Sequence, residues 1–390
     1  MKILVVTTSF GEYADSHTVR LSNLFSQMQK KYSVTYCYPG SHKDLDGNLA
    51  IEPGFLLKLS SFLKRKTKYS YRLYANLTKN LLFPDRFSGF SKRLELYFKG
   101  DFDFDVIISA SGSIESHIAA YNLAKKFDIE LIMDYGDPIY SLVGDDIKSR
   151  IKAIEAEIIK YASKVIFTTK STKEQYDSVF FCGPKSSVIS YGYDKSKIEL
   201  SGNLTNIPFE KVDYISHIGT AFSNDRNLIP LIEAIKLTQE NNNTGFILAG
   251  RRSLAFSEMA NKVNLKNFID YDLVDYLLAL EIQKKSKINV IVGNKDGRQV
   301  PGKIFALAAI SERILYISQC SRDMDESLDI LESHKNMMTC DNNTKSIFDA
   351  LELLINSEVK SEGISEFANY ESYLLGRQLE ELINDCKESR

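Results

Sequence analysis

GNKDGRQVPGKIFALAAISERILYIS, residues 293 to 318, reads as a loop, the start of a helix and then a strand. Lys303 follows the Val300-Pro301-Gly302 turn, and Ile304, Phe305, Leu307, Ala308 and Ile310 give the helix an apolar face. Proline suits a helix start because the N–H it lacks would have no partner there. The first turn presents unpaired backbone N–H groups and the positive end of the helix dipole, and with Lys303 these would hold an anion arriving from the loop. That is the outline of a phosphate site. An ordinary capping turn with a solvated lysine has the same outline, so the surrounding elements must decide.

Upstream, strand patterns alternate with helix patterns. Tyr214 to Ile218 reads as a strand, Leu228 to Gln239 as a helix and Gly245 to Ala249 as a strand. Ser257 to Val263 reads as a short helix, Asn267 to Tyr271 as a strand, Leu273 to Lys285 as a helix and Ile288 to Val292 as a strand. The N-terminal half repeats the theme. Its strands are Ile3 to Thr7, Tyr32 to Tyr38, Val106 to Ser109, Glu130 to Met133 and Lys164 to Thr168. Between them lie helix patterns near Leu21 to Met28, Ile114 to Phe127 and Asp146 to Tyr161. Continuous apolar strands separated by helices predict two doubly wound α/β domains in tandem, with a boundary near residue 205. A last helical pattern, Phe367 to Cys386, has Tyr373, Leu374, Leu379, Leu382 and Ile383 as its expected apolar positions.

With 390 residues, 44% hydrophobic and 26% charged, the chain is long enough for two domains with their own cores. The formal charge of −2 points to no nucleic-acid partner. Five cysteines without a C-x-x-C or a His-paired spacing fit a reduced compartment and give no disulfide framework or zinc site. The apolar run Ile3 to Thr8 is too brief for a signal-peptide core, and no run reaches the ~18–20 apolar residues that span a bilayer. A cytoplasmic protein is expected. Between Lys58 and Lys99, eleven Lys or Arg stand against Asp85 and Glu95, a net of +9, with nine Phe or Tyr interleaved. An anionic membrane surface is the expected partner of this stretch; a solvated face and a nucleic-acid groove are the other readings.

The first loop, Thr8 to His17, lacks G-x-G-x-x-G, which argues against a dinucleotide site; its one glycine, Gly11, would let backbone approach a ligand at the C-terminal sheet edge. Asp101, Asp103 and Asp105 precede a strand, at the edge opposite to ligands, so no metal is expected there. His117 and Asp137 each follow a strand end, and together they could orient sugar hydroxyls and handle a proton.

In order along the chain, FPDRFSGF, DVIISASGSIESHIAAYNLAKK, LIMDYGDPIY, YISHIGTAFSNDRNLIPLIEAIK and VPGKIFALAA resemble the motif series of GT-B-fold, retaining, nucleotide-sugar glycosyltransferases of the family 4-like, polysaccharide and lipopolysaccharide assembly type. The resemblance spans nearly the whole chain and rests on order and spacing. It implies two Rossmann-like domains facing a central cleft: 1–204 binding the acceptor, 205–366 binding the nucleotide-sugar, and 367–390 as a helix crossing back onto the first domain. It implies that Gly219 and Thr220 bring backbone close to the donor, that Arg226 and Lys303, with Gly302, meet its phosphates, that His117 contacts the transferred sugar, and that Gly11 lies in the acceptor-side loop. Fixed cations at a diphosphate leaving group need no metal or other cofactor.

Three positions depart from the pattern. Where the family's helix carries a ribose-binding glutamate this chain has Ala306, and eight residues earlier it has Arg298, which would suit the carboxylate of a CMP-activated acid sugar. The arginine of D-x-R-D-P is replaced by Gly136. The expectation is therefore a transferase at the inner face of the membrane, moving a sugar to a lipid-linked or cell-surface glycan. A non-catalytic GT-B subunit and a nucleotide-sugar epimerase are the alternatives.

Overall fold

The computed structural model describes the chain except residues 12–15, 27, 41–46, 67–81, 203, 361–363 and 389–390. The chain divides into two compact units, Met1–Ser190 with Leu375–Arg390, and Tyr191–Leu374.

In the first unit, seven strands lie in the order β3-β2-β1-β4-β5-β6-β7. They are β1 (Lys2–Val6), β2 (Ser33–Pro39), β3 (Leu49–Ile51), β4 (Val106–Ser111), β5 (Glu130–Tyr135), β6 (Lys164–Phe167) and β7 (Ser186–Val188). Every pairing is parallel, with Ile3 opposite Val34 on one side and Val106 on the other. Because side chains alternate across a strand, each apolar run feeds two cores. Leu4, Val6, Ile107, Leu131, Met133 and Val165 pack with Leu123, Ile158 and Tyr176 of covering helices on one face. Ile3, Val5, Ile108, Ile132 and Ile166 pack on the other face with Leu21 and Leu24 and with Leu375, Leu379, Ile383 and Cys386.

Those last four residues belong to the helix Ser372–Glu388, and their spacing of four, four and three defines its buried stripe. The expected stripe was one position out at its start: Tyr373 is exposed and Leu375 is buried. Lys31 and Tyr32 also bond Glu380 of this helix, the latter at 2.6 Å.

The second unit has six parallel strands in the order β10-β9-β8-β11-β12-β13. These are β8 (Asp213–Ile218), β9 (Thr244–Ala249), β10 (Phe268–Asp270), β11 (Ile288–Val292), β12 (Ile314–Ser318) and β13 (Met337–Asp341). The helices Ile229–Asn241 and Thr344–Asn356 cover one face with Leu231, Ile235, Leu351 and Leu354. On the other face, Ile304 and Leu307 of the helix Lys303–Ile310 pack with Ile291, Ile314 and Tyr316. The short strands β3 and β7 and the half-exposed β13 escaped the sequence reading because they lack a continuous apolar run.

Asp103 and Asp105 sit before β4 and bond Lys2, Asp105 accepting its backbone N–H at 2.7 Å. Of the basic stretch, 67–81 lie outside the described residues. In its described part Phe62, Leu96 and Tyr97, with Phe55 just before it, are more than half exposed, whereas Arg93 turns inward, where a Cβ on Gly54 would lie 2.8 Å from its Nη1. Among the described residues no helix is long and apolar enough to cross a membrane.

Candidate functional site

Ligands of open α/β sheets bind beyond the strand C-termini where the strand order reverses. In the second unit that point lies between β8 and β11, so the loops after Ile218 and Val292 flank it. Both loops carry residues of interest. Gly219 has φ +152 and Gly250, after β9, has φ +114, conformations that L side chains rarely adopt. A Cβ on Gly250 would lie 2.3 Å from the Gly219 carbonyl oxygen, and one on Gly219 would lie 3.0 Å from Lys303 Nζ. The result is bare backbone beside a lysine.

Lys303 Nζ donates to the Ile218 carbonyl at 3.0 Å. Arg226 Nη1 donates to the Thr220 carbonyl at 3.1 Å and Nη2 to Asn294 Oδ1, while Asn294 Nδ2 donates to Gln299 O at 2.6 Å. Lys295 Nζ ties the same loops by donating to Asn224 O at 2.7 Å. Burial, and then the neighbouring Arg226, push the Lys303 ammonium down to about 7, with no carboxylate among the causes to hold it up. His217, fully buried on β8, has Nδ1 3.0 Å from the Val290 carbonyl, which fixes a neutral tautomer with the proton on that nitrogen. Burial first, then Lys303 and Arg226, hold its pKa well below the usual histidine value. Its Nε2 has no partner among the described residues. Gly302 precedes Lys303 at the helix start, where a Cβ would come 2.8 Å from the Tyr191 ring. Two cations, a helix N-terminus and glycine backbone thus converge, with no neutralising carboxylate among the described residues. That set of donors suits a phosphate or diphosphate.

Gly219, Thr220, Arg226, Gly302 and Lys303 are therefore brought together. Arg298 differs: its Nε and Nη2 fork onto the Asp296 carboxylate at 2.8 and 2.7 Å, holding Asp296 below its usual range. A guanidinium engaged in this way is poorly placed to take a donor carboxylate. Ala306 is buried in the apolar cluster with Ile291 and Tyr316 and offers no ribose acceptor.

In the first unit the order reverses between β1 and β4. A pocket of about 470 Å³ opens there, lined by Ser9, His17, Asp85, Arg86, Ser113 and Asp137 among others. The expected pairing of His117 with Asp137 is corrected by the structure. His117 is fully buried, its Nδ1 2.7 Å from Ser109 Oγ and its ring 4.6 Å from that of Tyr135. Its place in the pairing is taken by His17, whose Nε2 lies 3.2 Å from Asp137 Oδ2. Beneath them Arg20 bonds Asp134 at 2.5 Å and the Ile189 carbonyl at 2.8 Å. Burial raises the Asp134 pKa, and Arg20 and then His17 oppose that rise. Gly11 has φ +58 and faces Tyr38, whose ring a Cβ would approach to 2.7 Å; the next four residues of its loop lie outside the described ones. Sequence reasoning passed over His17, although the bare Gly136 opposite the expected arginine was the available signal.

Solved structures share this architecture. Sucrose-phosphate synthase from Thermosynechococcus elongatus aligns over 100% of this chain and 99% of its own, with TM-score 0.68 and 12% identity. Anabaena HepE, solved in complex with UDP and glucose, aligns over 99% and 100% with TM-score 0.64 and 12% identity. UDP-GlcNAc 2-epimerase from Methanocaldococcus jannaschii aligns over 98% and 99% with TM-score 0.58 and 14% identity. Likeness at this identity is one of fold, and the fold is GT-B, with two parallel-sheet Rossmann-like units. No protein-family model and no curated protein sequence matches the chain.

Proposed function

We propose that the chain is a glycosyltransferase that takes a sugar from a UDP-sugar and delivers it to a hydroxyl of a glycan or lipid-linked acceptor. The observation that carries this is the nearness of Lys303 and Arg226 at the sheet reversal of the second unit, with no carboxylate among the described residues to neutralise them. A leaving diphosphate supplies the missing negative charge, and preorganised cations stabilise it most where charge builds in the transition state. The same cations make a metal unnecessary, so EDTA is expected to leave donor binding unchanged. A UDP-sugar is favoured over a CMP-activated acid sugar because Arg298 is forked onto Asp296 and because HepE is solved with UDP.

Calorimetry with UDP, GDP, CMP, ADP and dTDP tests the reading. Selective binding of UDP is expected, and binding of none by folded protein would leave the non-catalytic subunit in its place. The likeness to an epimerase of the same coverage supports a second reading. Incubation with UDP-GlcNAc alone separates the two, since an epimerase would change C2 without any acceptor.

An anionic membrane surface is proposed as the partner of residues 58–99, supported by the basic sequence of this stretch and by the exposed Phe62, Leu96 and Tyr97. Replacing Lys64, Arg65, Lys66 and Lys68 by Gln is expected to lower binding to phosphatidylserine vesicles, by about 1 kcal/mol for each basic residue near the surface. Unchanged co-sedimentation would remove this stretch from the membrane.

A further inference from the structure

The loop that follows β11 engages two arginine side chains and treats them differently. Gly293 opens the loop between fixed points. Its N–H donates to the Ile317 carbonyl at 2.9 Å, its own carbonyl accepts from Gln319 Nε2 at 2.6 Å, and a Cβ on it would lie 2.3 Å from the Tyr316 hydroxyl. The next residue, Asn294, is thereby set on backbone with little room to shift. Its amide can face in one sense only: Nδ2 donates to the Gln299 carbonyl at 2.6 Å, which leaves Oδ1 as the acceptor for Arg226 Nη2.

Arg226 lies between β8 and the helix Ile229–Asn241, outside any regular element. Two contacts hold its guanidinium, Nη1 on the Thr220 carbonyl at 3.1 Å and Nη2 on Asn294. Both acceptors are neutral. Nε is buried with no partner among the described residues, so no third bond fixes the plane. Each terminal nitrogen carries a second hydrogen that no described residue takes up, and a pair of such donors suits phosphate oxygens. Four positions beyond Asn294 the opposite arrangement is found. Arg298 forks onto the Asp296 carboxylate, and its charge is balanced there. An amide and a carboxylate have nearly the same shape and both accept from a guanidinium, but only the amide leaves the positive charge in place.

We propose that Asn294 is a positioning residue that orients the Arg226 guanidinium for a diphosphate without neutralising it. This rests on the donor-site reading above and lies wholly within the second unit. Lys295 adds a second tie between the same two loops by donating to the Asn224 carbonyl at 2.7 Å, so losing the Asn294 bond frees the guanidinium before it frees the loop.

Calorimetry on the full chain at pH 6.5 tests this with two probes, UDP and inorganic pyrophosphate. Asn294→Ala removes the bond and keeps the charge, and is expected to weaken both probes about fivefold. Asn294→Asp keeps the shape and the acceptor but cancels the charge, and is expected to weaken both about tenfold or more. Wild-type affinity in either variant overturns the proposal. In an Arg226→Ala background, Asn294→Ala should change the remaining affinity less than about twofold, because no guanidinium is left to orient. An undiminished loss there means that Asn294 acts only through the shape of its own loop, and overturns the action through Arg226. Wild-type protein that binds pyrophosphate but not UDP would sink the nucleotide-sugar reading alone, with the variants still compared on pyrophosphate. Binding of neither probe would overturn both.

Discussion

Lys303 is where a single ionisation controls the candidate donor site. With its ammonium held down to about 7 by burial and Arg226, it is half charged near neutrality, and only the charged form serves a diphosphate. UDP-glucose, whose diphosphate does not titrate in this range, is therefore expected to bind about 25-fold more weakly at pH 8.5 than at pH 6.5. Calorimetry in buffers of different ionisation heat should show proton uptake on binding at the higher pH. Lys303→Ala is expected to weaken binding about tenfold or more at pH 6.5 and to abolish the pH dependence; an unaltered affinity would take Lys303 out of the phosphate site. Without ligand the sign is opposite. The unfolded chain keeps this proton to its ordinary 10.5 and the folded one releases it near 7, so this group's cost to stability is complete below 7 and is relieved as pH rises between the two values.

Elements place these residues through turns that tolerate little bulk. The carbonyl after β8 and the glycine after β9 come so close that Gly250→Ala would put its methyl 2.3 Å from the Gly219 oxygen, at a φ of +114. A cost of about 2–3 kcal/mol is expected, read by urea unfolding, together with loss of UDP-glucose binding as Gly219 shifts against Lys303. A neutral substitution would mean that the two loops are free to separate. The long strands were legible in the sequence because both of their faces are buried, which leaves an uninterrupted apolar run such as Ile3 to Val6. The start of the C-terminal stripe was not legible, since Tyr373 and Leu375 are both apolar neighbours and only packing against Leu21 and Leu24 selects Leu375.

At the scale of the molecule, the first unit is closed by chain from the far end. Leu375, Leu379, Ile383 and Cys386 complete the core on one face of its sheet, so 1–190 alone is expected to expose that face and aggregate or bind ANS. Co-expression with 372–390 should restore a cooperative transition, and 191–374 should fold alone; a cooperative melt of 1–190 alone would contradict this. The sequence by itself determined the α/β class and the two sheets, because continuous apolar strands and helix starts are local signals fixed by backbone geometry; Gly219 and Arg226 came from the family resemblance, and the second unit places them near Lys303. Only the tertiary structure decided which histidine meets Asp137 and whether Arg298 is engaged. His117 and His17 both stand near strand ends in the sequence, 100 positions apart. Which of them is buried against Ser109 and which fits the space beside Gly136 depends on side chains from separate strands meeting across the sheet edge, and no spacing along the chain encodes that meeting.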